Sequence, residues 1–261
     1  MANVDNYVVN NWSDVFGDNP IDIGCIPIYK HWKDLFGQMS EHGKFKKINK
    51  KLNEDIKNGS DIFPYPSLLY NAFNCIALND VDVVFVGQDP YFNAKVINDK
   101  KIPQANGMSF SVPIGMSIPS SLEHIYDNQL KFGNITHMPT HGNLETWASQ
   151  GCLMINTSLT VKEFEANSHS ECWREISDKI IKHISSELDG VTFALWGGNA
   201  LEKISLIDLD KHFTTISSHP SGLSCNNPLK TYGAFKNVDH FGIINQNLID
   251  HNREPIKWQI V

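Results

Sequence analysis

The sequence predicts an α/β fold, a three-layer sandwich in which helices flank a central, mostly parallel sheet of four strands. Four short apolar runs recur after residue 81, and they read "VDVVFVG", "CLMIN", "VTFALWG" and "HFTTISS". Segments with helical spacing or turn signals separate these runs. An alternation of strands and helices is typical of a parallel sheet covered by helices.

The first part of the chain differs from the rest. The segment "DNPIDIGCIPI" gives way near residue 28 to the amphipathic segment "HWKDLFGQM", and no internal repeat or low-complexity linker follows. We therefore predict an N-terminal extension over residues 1–28 and one domain over residues 29–261. The extension either packs on that domain through Trp12 and Phe16 or stays loose.

Two helices carry predicted start signals. Ser168 and Glu171 have capping-box spacing, and the helix after them has one apolar stripe, made of Trp173, Ile176, Ile180, Ile184 and Leu188. A second pair with this spacing, Ser120 and Glu123, predicts a helix whose N-terminus is suited to a phosphate.

Composition restricts the function classes. The formal net charge is -7, whereas nucleic-acid binders usually show a basic footprint. Arg174 and Arg253 are the two arginines, so phosphate contacts would come from lysines, hydroxyls, backbone N–H groups or helix N-termini. The most basic stretch, "KFKKINKK" at 44–51, is interpreted as a solvated helical face.

The cysteine pattern and the chain start indicate an intracellular protein. The five cysteines form no C-x-x-C pair, which favours a reducing compartment over a disulfide framework or a zinc site. The first twenty residues lack the features of a secretion signal or a transit peptide, and no apolar run approaches the roughly 18 residues of a membrane span. We expect an intracellular protein without membrane attachment.

Polar residues follow each predicted strand. They are Gln88 and Asp89, then Asn156, then Gly197, Gly198 and Asn199, then Ser218 and His219. Ligands of open parallel sheets bind at the carboxyl ends of the strands, so these groups are predicted to converge in one crevice. Each has a simpler explanation alone: Asp89 opens a turn, Asn156 bonds its own backbone, His219 is a loop histidine and Phe110 is core.

Several motifs in fixed order resemble the uracil-DNA glycosylase family, in its GQDPY-bearing branch. They are "GQDPY" at 87–91, "NGMSFSVP" at 106–113, "IPSSLEHIY" at 118–126, "HGNLETWASQGCLMINTSLTV" at 141–161, "ANSHSECW" at 166–173, "FALWGGNA" at 193–200, "SSHPSGLS" at 217–224 and "PIKW" at 255–258. The resemblance covers the chain from about residue 30, which makes residues 29–261 the expected catalytic domain.

The resemblance implies a DNA repair enzyme that flips deoxyuridine out of DNA, hydrolyses its N-glycosidic bond and leaves an abasic site, without metal or organic cofactor. By the same resemblance, ionised Asp89 stabilises the sugar cation and orients water, and neutral His219 donates a hydrogen bond to uracil O2. Gln88 forms pocket wall, Phe110 stacks on uracil, Asn156 reads its edge, and Tyr91 excludes the thymine methyl group.

The implied DNA contacts come from short loops. The candidate residues are Ser121, Gly198, Ser221, Leu223 and Ser224, and Leu223 would fill the space that the flipped base leaves. The chain departs from the family pattern at Phe92, where a histidine is usual, and at Gly222, where proline is usual. The segment "NAKVINDKKIPQ" after Phe92 is longer than usual, and Gly197-Gly198-Asn199 lacks one phosphate-binding hydroxyl.

Two other functions are alternatives for this fold. A non-enzymatic DNA-binding or replication-accessory protein would keep the fold, but it has no need for Asp89, Asn156 and His219. A nucleotide-binding protein would show a glycine-rich phosphate loop, and neither G-x-G-x-x-G nor G-x-x-x-x-G-K occurs. The expected partners are uracil-containing DNA, single- or double-stranded, and either a proteinaceous glycosylase inhibitor or replication proteins, with the chain itself a monomer.

Overall fold

The computed structural model describes residues 3–261. Its central sheet has four parallel strands in the spatial order β5-β2-β7-β8, which are Cys152–Asn156, Val83–Gly87, Thr192–Trp196 and Phe213–Ser217. Two smaller antiparallel sheets pair β1 (Ile62–Phe63) with β6 (Val161–Lys162) and β3 (Ala94–Ile97) with β4 (Lys100–Pro103). The α/β class and the four strands predicted from the sequence are confirmed.

Helices surround the central sheet and make the three layers. In chain order they are α1 Trp12–Phe16, α2 Lys33–Glu41, α3 Lys46–Lys57, α4 Asn71–Asn74, α5 Ser120–Lys131, α6 Glu145–Ala148, α7 Ser170–Glu187, α8 Gly198–Leu201 and α9 His240–Asp250. Short 3-10 turns connect several of them. No helix within residues 3–261 combines the length and the apolar character that crossing a bilayer requires.

Strand β2 lies in the interior of the sheet and is buried along its whole length. Its Phe85 ring packs against Trp147, Phe241 and Trp258, with ring centroids 6.2, 6.3 and 6.1 Å away. The chain passes from β2 to β5 on one side and later to β7 on the other, so a crevice opens at the carboxyl end of β2. The residues after Gly87 enter this crevice.

Both predicted capping boxes are wrong. The Ser168 hydroxyl accepts a hydrogen bond from the Lys162 N–H at 2.8 Å, and α7 begins at Ser170 without a side-chain cap. Helix α5 begins after Pro119, and Ser120 is its first residue rather than its cap. In each case the residue spacing in the sequence did not reveal the backbone turn that precedes the helix and sets its first residue.

The apolar stripe of α7 is confirmed for its first four members. Trp173, Ile176, Ile180 and Ile184 are buried in the core. Leu188 follows the last helical residue, is only partly buried and still packs against the core.

The N-terminal segment lies against the rest of the chain. Trp12 is 1% exposed, donates from its indole nitrogen to the Pro64 carbonyl at 3.0 Å, and stacks on Phe16. Tyr70 donates its hydroxyl hydrogen bond to the Ile23 carbonyl at 3.1 Å. These contacts favour the packed alternative for the segment, and the division near residue 28 stays a prediction.

We expect Trp12→Ala to lower the free energy of unfolding by about 3–5 kcal/mol, because the substitution removes a large buried side chain and its hydrogen bond. Urea unfolding followed by circular dichroism measures this change. Val15→Ala in the same helix, where the valine is 49% exposed, is the matched control and should change stability little. Equal effects of the two substitutions would mean that the segment is not docked.

Candidate active site

A cavity of about 240 Å³ opens at the carboxyl end of β2. Its lining residues are Gly87, Gln88, Asp89, Pro90, Tyr91, Phe92, Met108, Phe110, Ser121, Asn156 and His219. All six residues predicted for the catalytic and uracil-binding sets therefore lie around one cavity. The predicted convergence at the strand ends is found for Gln88, Asp89, Asn156 and His219.

The Asp89 carboxylate lies in the cavity wall and is fixed by the loop that contains Asn167. Its Oδ2 atom accepts a hydrogen bond of 2.7 Å from the backbone N–H of Asn167. Burial raises the pKa of the Asp89 carboxyl, and the hydrogen bonds from the Asn167 and Asp89 N–H groups oppose this rise. These two N–H donors stabilise the ionised form of the Asp89 carboxyl, and the bond from Asn167 fixes its orientation.

The loop that carries Asn167 is anchored by a buried polar network. His169, which is fully buried, bonds through Nε2 to Asp55 at 2.9 Å and through Nδ1 to the Thr160 hydroxyl at 2.8 Å. Trp173 donates to the same hydroxyl at 2.7 Å. Because these buried groups are all paired, the network fixes the start of α7 and the loop before it.

Asn156 presents its carboxamide to the cavity. It ends β5 directly opposite Gly87 of β2, and it is 7% exposed. Among residues 3–261, no hydrogen bond uses the Asn156 side chain, so its donor and its acceptor both remain open to a ligand.

Glycine at position 87 makes this placement of Asn156 possible. A Cβ atom added at Gly87 would lie 2.2 Å from the Asn156 Oδ1 atom and 2.8 Å from the Ser109 Cβ atom. Any larger side chain would therefore displace the Asn156 carboxamide or the turn that contains Ser109.

Two aromatic rings shape the cavity. Phe110 adopts a left-handed backbone conformation with φ 63°, which is rare for a non-glycine residue and is a form of strain found at functional sites. Its carbonyl accepts a hydrogen bond of 3.3 Å from the Tyr91 hydroxyl. Burial raises the pKa of Tyr91, so its hydroxyl stays protonated and keeps this bond.

His219 is fixed as a single neutral tautomer. Its Nδ1 atom accepts a hydrogen bond of 3.0 Å from the Ser221 backbone N–H, so the ring proton resides on Nε2. Burial lowers the pKa of His219 to about 4. The ring is therefore uncharged near neutral pH and is a hydrogen-bond donor through Nε2.

The loop after His219 is joined to α5. His124 bonds through Nδ1 to the Pro220 carbonyl at 2.8 Å. The backbone at Gly197, with φ 95°, packs against His219, and a Cβ atom added at Gly197 would lie 3.0 Å from the His219 Cβ. These contacts determine where the imidazole stands.

The residues predicted to contact DNA are spread around the cavity mouth. Ser121 lines the cavity itself, whereas Gly198 is exposed at the start of α8. Leu223 is 91% exposed, at the tip of the loop that also carries the half-buried Ser221 and Ser224. The Leu223 side chain is therefore accessible to a ligand.

Sequence reasoning missed several contributors to this site. Met108 and Pro90 line the cavity, and Asn167 and His169 support Asp89 from a loop about eighty residues later in the chain. The segment "ANSHSECW" contains Asn167 and His169, but the sequence does not reveal that Asp55 lies beside His169.

A scan against family models matches residues 74–249 to the Uracil DNA glycosylase superfamily. A curated relative from Acanthamoeba polyphaga mimivirus, named probable uracil-DNA glycosylase, is 32% identical over 100% of this chain and 72% of its own length. The uracil-DNA glycosylase of Francisella philomiragia is 38% identical over 88% of this chain and 100% of its own length.

Solved structures agree with the curated relatives. The crystal structure of mimivirus uracil-DNA glycosylase superposes with a TM-score of 0.94 at 32% identity, and it covers 100% of this chain and 97% of that chain. A variant of the same viral protein in complex with UGI gives a TM-score of 0.94 at 33% identity, covering 100% of this chain and 99% of that one.

We expect the His219 ring to stay neutral from pH 8 down to pH 5, because burial disfavours the imidazolium. The ring resonances in NMR spectra should be constant over this range and should titrate near pH 4. The depressed pKa means that the stability contributed by the neutral ring is present above pH about 6.5 and is lost as the pH falls toward 4. A titration midpoint near 6.5 in the folded protein would contradict this assignment.

Proposed function

The chain belongs to the uracil DNA glycosylase superfamily, and on that premise we propose how the cavity at the end of β2 acts on uracil in DNA. The protein is a DNA repair glycosylase, an enzyme that hydrolyses the N-glycosidic bond of deoxyuridine in DNA and leaves an abasic site. The single observation that carries the residue assignment is the meeting of Asp89, Asn156 and His219 in one cavity.

Asn156 reads the edge of uracil in this proposal. Its amide N–H donates to uracil O4, and its amide oxygen accepts from N3–H. Cytosine presents the opposite donor and acceptor at these two positions, so each mismatch leaves a buried polar group unpaired at a cost of roughly 1–3 kcal/mol. The open side-chain groups of Asn156 support this role.

Phe110 and Tyr91 provide shape selection. The Phe110 ring stacks on the face of uracil, and the Tyr91 ring occupies the space that a C5 methyl group would need, which excludes thymine. The hydrogen bond between the Tyr91 hydroxyl and the Phe110 carbonyl supports this assignment, because it holds the two residues in one arrangement. Gln88 closes the pocket through its backbone.

Bond cleavage separates charge between the sugar and the base. Ionised Asp89 stabilises the oxocarbenium-like sugar and orients the attacking water, while the Nε2–H of neutral His219 donates to uracil O2 as the base leaves as an anion. The Asn167 N–H holds Oδ2 of Asp89, which leaves Oδ1 for water. Phe92 stands where the family usually has histidine, so water orientation depends on Asp89 more than in the usual pattern.

Residues around the cavity mouth contact the substrate DNA in this proposal. Ser121, Gly198, Ser221 and Ser224 supply hydroxyl and backbone N–H groups to phosphates, and Leu223 enters the stack in place of the flipped nucleotide. The 91% exposure of Leu223 supports this role, because it leaves the side chain free to enter the base stack.

We propose a monomeric, intracellular enzyme that accepts single- and double-stranded DNA. The solved complex of the mimivirus protein with UGI supports a proteinaceous inhibitor as a further partner, because this chain shares that fold over its whole length. Residues 29–261 are the proposed catalytic domain, and replication proteins are further candidate partners.

We expect the wild-type protein to release uracil from a labelled single-stranded oligonucleotide with one deoxyuridine, scored by alkaline strand cleavage. Asp89→Asn should lower kcat by at least about 100-fold, because it removes the charge that stabilises the sugar cation. Asp210→Asn, in an exposed loop, is the matched control, and a thymine oligonucleotide should remain intact. Absence of cleavage by folded wild-type protein would favour the accessory-protein function.

Gly87→Ala should weaken uracil recognition, because the new Cβ would collide with the Asn156 Oδ1 atom. We expect kcat/KM for uracil release to fall by about 10- to 100-fold, corresponding to roughly 1–3 kcal/mol of lost hydrogen bonding. Gly37→Ala on α2, where an added Cβ meets open space, is the control. Unchanged activity of Gly87→Ala would show that uracil release does not depend on the position of the Asn156 carboxamide.

A further inference from the structure

The β3–β4 hairpin stands beside the cavity and has no role in the proposed chemistry. It starts at Ala94, two residues after Phe92, whose side chain lines the cavity. Its two-residue loop, Asn98 and Asp99, has φ angles of 50° and 60°, the left-handed geometry of a tight hairpin turn. The hairpin is therefore a defined element rather than a loose insertion.

The pairing register places Lys95 and Lys100 on the same face of this hairpin. Lys95 pairs with Ile102, and Ile97 pairs with Lys100. Residues directly opposite in an antiparallel pair share a face, as do residues two apart in a strand. Ile102 on this face is buried and Ile97 packs against the core, but both lysine side chains are exposed. Two cations therefore reach solvent at the edges of the packed face.

The opposite face is electrically compensated. Lys101 forms ion pairs with Asp61 and Glu163, each at 2.6 Å, so its charge is neutralised within the protein. In contrast, none of the ion pairs within residues 3–261 includes Lys95 or Lys100. Asp99, at the turn, is the acidic residue of the hairpin.

The two-lysine face is continuous with the cavity mouth. The Lys95 ammonium donates a hydrogen bond to the Ser117 hydroxyl. Ser117 belongs to the loop that leads into α5, and Ser121 in the first turn of α5 lines the cavity. An ammonium group has three donors, so Lys95 keeps two for a further ligand.

We propose that Lys95 and Lys100 bind phosphates of the DNA strand beside the nucleotide held in the cavity. The proposal rests on the proposed function, because it assumes that this strand lies across the cavity mouth. A net charge of -7 opposes DNA binding over most of the surface, so two uncompensated lysines next to the cavity give the strand a local attraction. The partner is the phosphodiester backbone, which lysine contacts without reading sequence.

The double substitution Lys95→Ala/Lys100→Ala tests this contact. Each lysine–phosphate contact contributes about 0.7 to the slope of log affinity against log salt on single strands and about 0.9 on duplex. We expect the slope for a fluorescent 20-nucleotide single strand, measured by anisotropy, to fall by about 1.4. For uracil release, KM should rise several-fold on this strand at low salt, with kcat unchanged.

The matched control is Lys182→Ala/Lys257→Ala, which changes net charge equally. Lys182 lies near the C-terminal end of α7, and Lys257 is exposed next to Gln150, just before β5, so both lie away from the carboxyl edge of the sheet. This control should keep the wild-type slope. Lys95→Arg/Lys100→Arg should restore the wild-type slope, because it returns both positive charges to the hairpin.

The outcomes separate this inference from the proposed function. An unchanged slope in Lys95→Ala/Lys100→Ala, or an equal fall in the control, overturns the hairpin contact even if uracil is released normally. No uracil release by the wild type removes the proposed function, while the anisotropy slope still reports whether the hairpin binds phosphate. A fall seen only with duplex DNA would overturn the assignment to the strand that carries the flipped nucleotide.

Discussion

The hydrogen bond from the Asn167 N–H to the Asp89 carboxylate is the contact on which the rest of the site depends. A half-buried carboxylate is costly unless its charge is met by donors, and here burial alone raises its pKa. A backbone donor cannot rotate away as a side chain can. The position of Asp89 is therefore as well defined as the loop that holds Asn167.

A buried polar network holds the loop that contains Asn167 and so keeps Asp89 in place. Asp55, His169, Thr160 and Trp173 join α3, the loop after β5 and the first turn of α7. Breaking one partner of such a network leaves the others buried and unpaired, so the network has one stable arrangement. The rigidity needed at Asp89 is supplied from a part of the chain that never touches the cavity.

The electrostatics of the site suit a reaction that creates opposite charges in a confined space. In the proposed mechanism a carboxylate held by backbone donors stabilises the sugar cation, and a neutral imidazole with its proton on Nε2 donates to the leaving base. A histidinium would attract the anionic carboxylate and the DNA phosphates alike, whereas burial keeps His219 uncharged. The Ser221 N–H that fixes its tautomer belongs to the same loop as Leu223, so the proposed contacts to the base and to the DNA stack depend on one loop.

The amino-acid sequence by itself determined the fold class, the four central strands and the six catalytic and uracil-binding candidates that meet in the cavity. Continuous apolar runs identify buried parallel strands, and polar residues at their ends identify a crevice because parallel strands present their carboxyl ends together. The order of the motifs indicated the family, and the comparisons confirmed the superfamily. None of these inferences required knowledge of contacts between distant residues.

The tertiary structure decided what depends on contacts between distant segments. Local spacing suggested that Ser168 caps α7, but its hydroxyl bonds to Lys162, because a turn that the sequence does not reveal brings the two together. The pairing of Asp55 with His169, the tautomer of His219 and the shared face of Lys95 and Lys100 likewise follow from packing and register. Sequence patterns specify which residues are buried or paired locally, whereas the partners of a polar group are set by the whole fold.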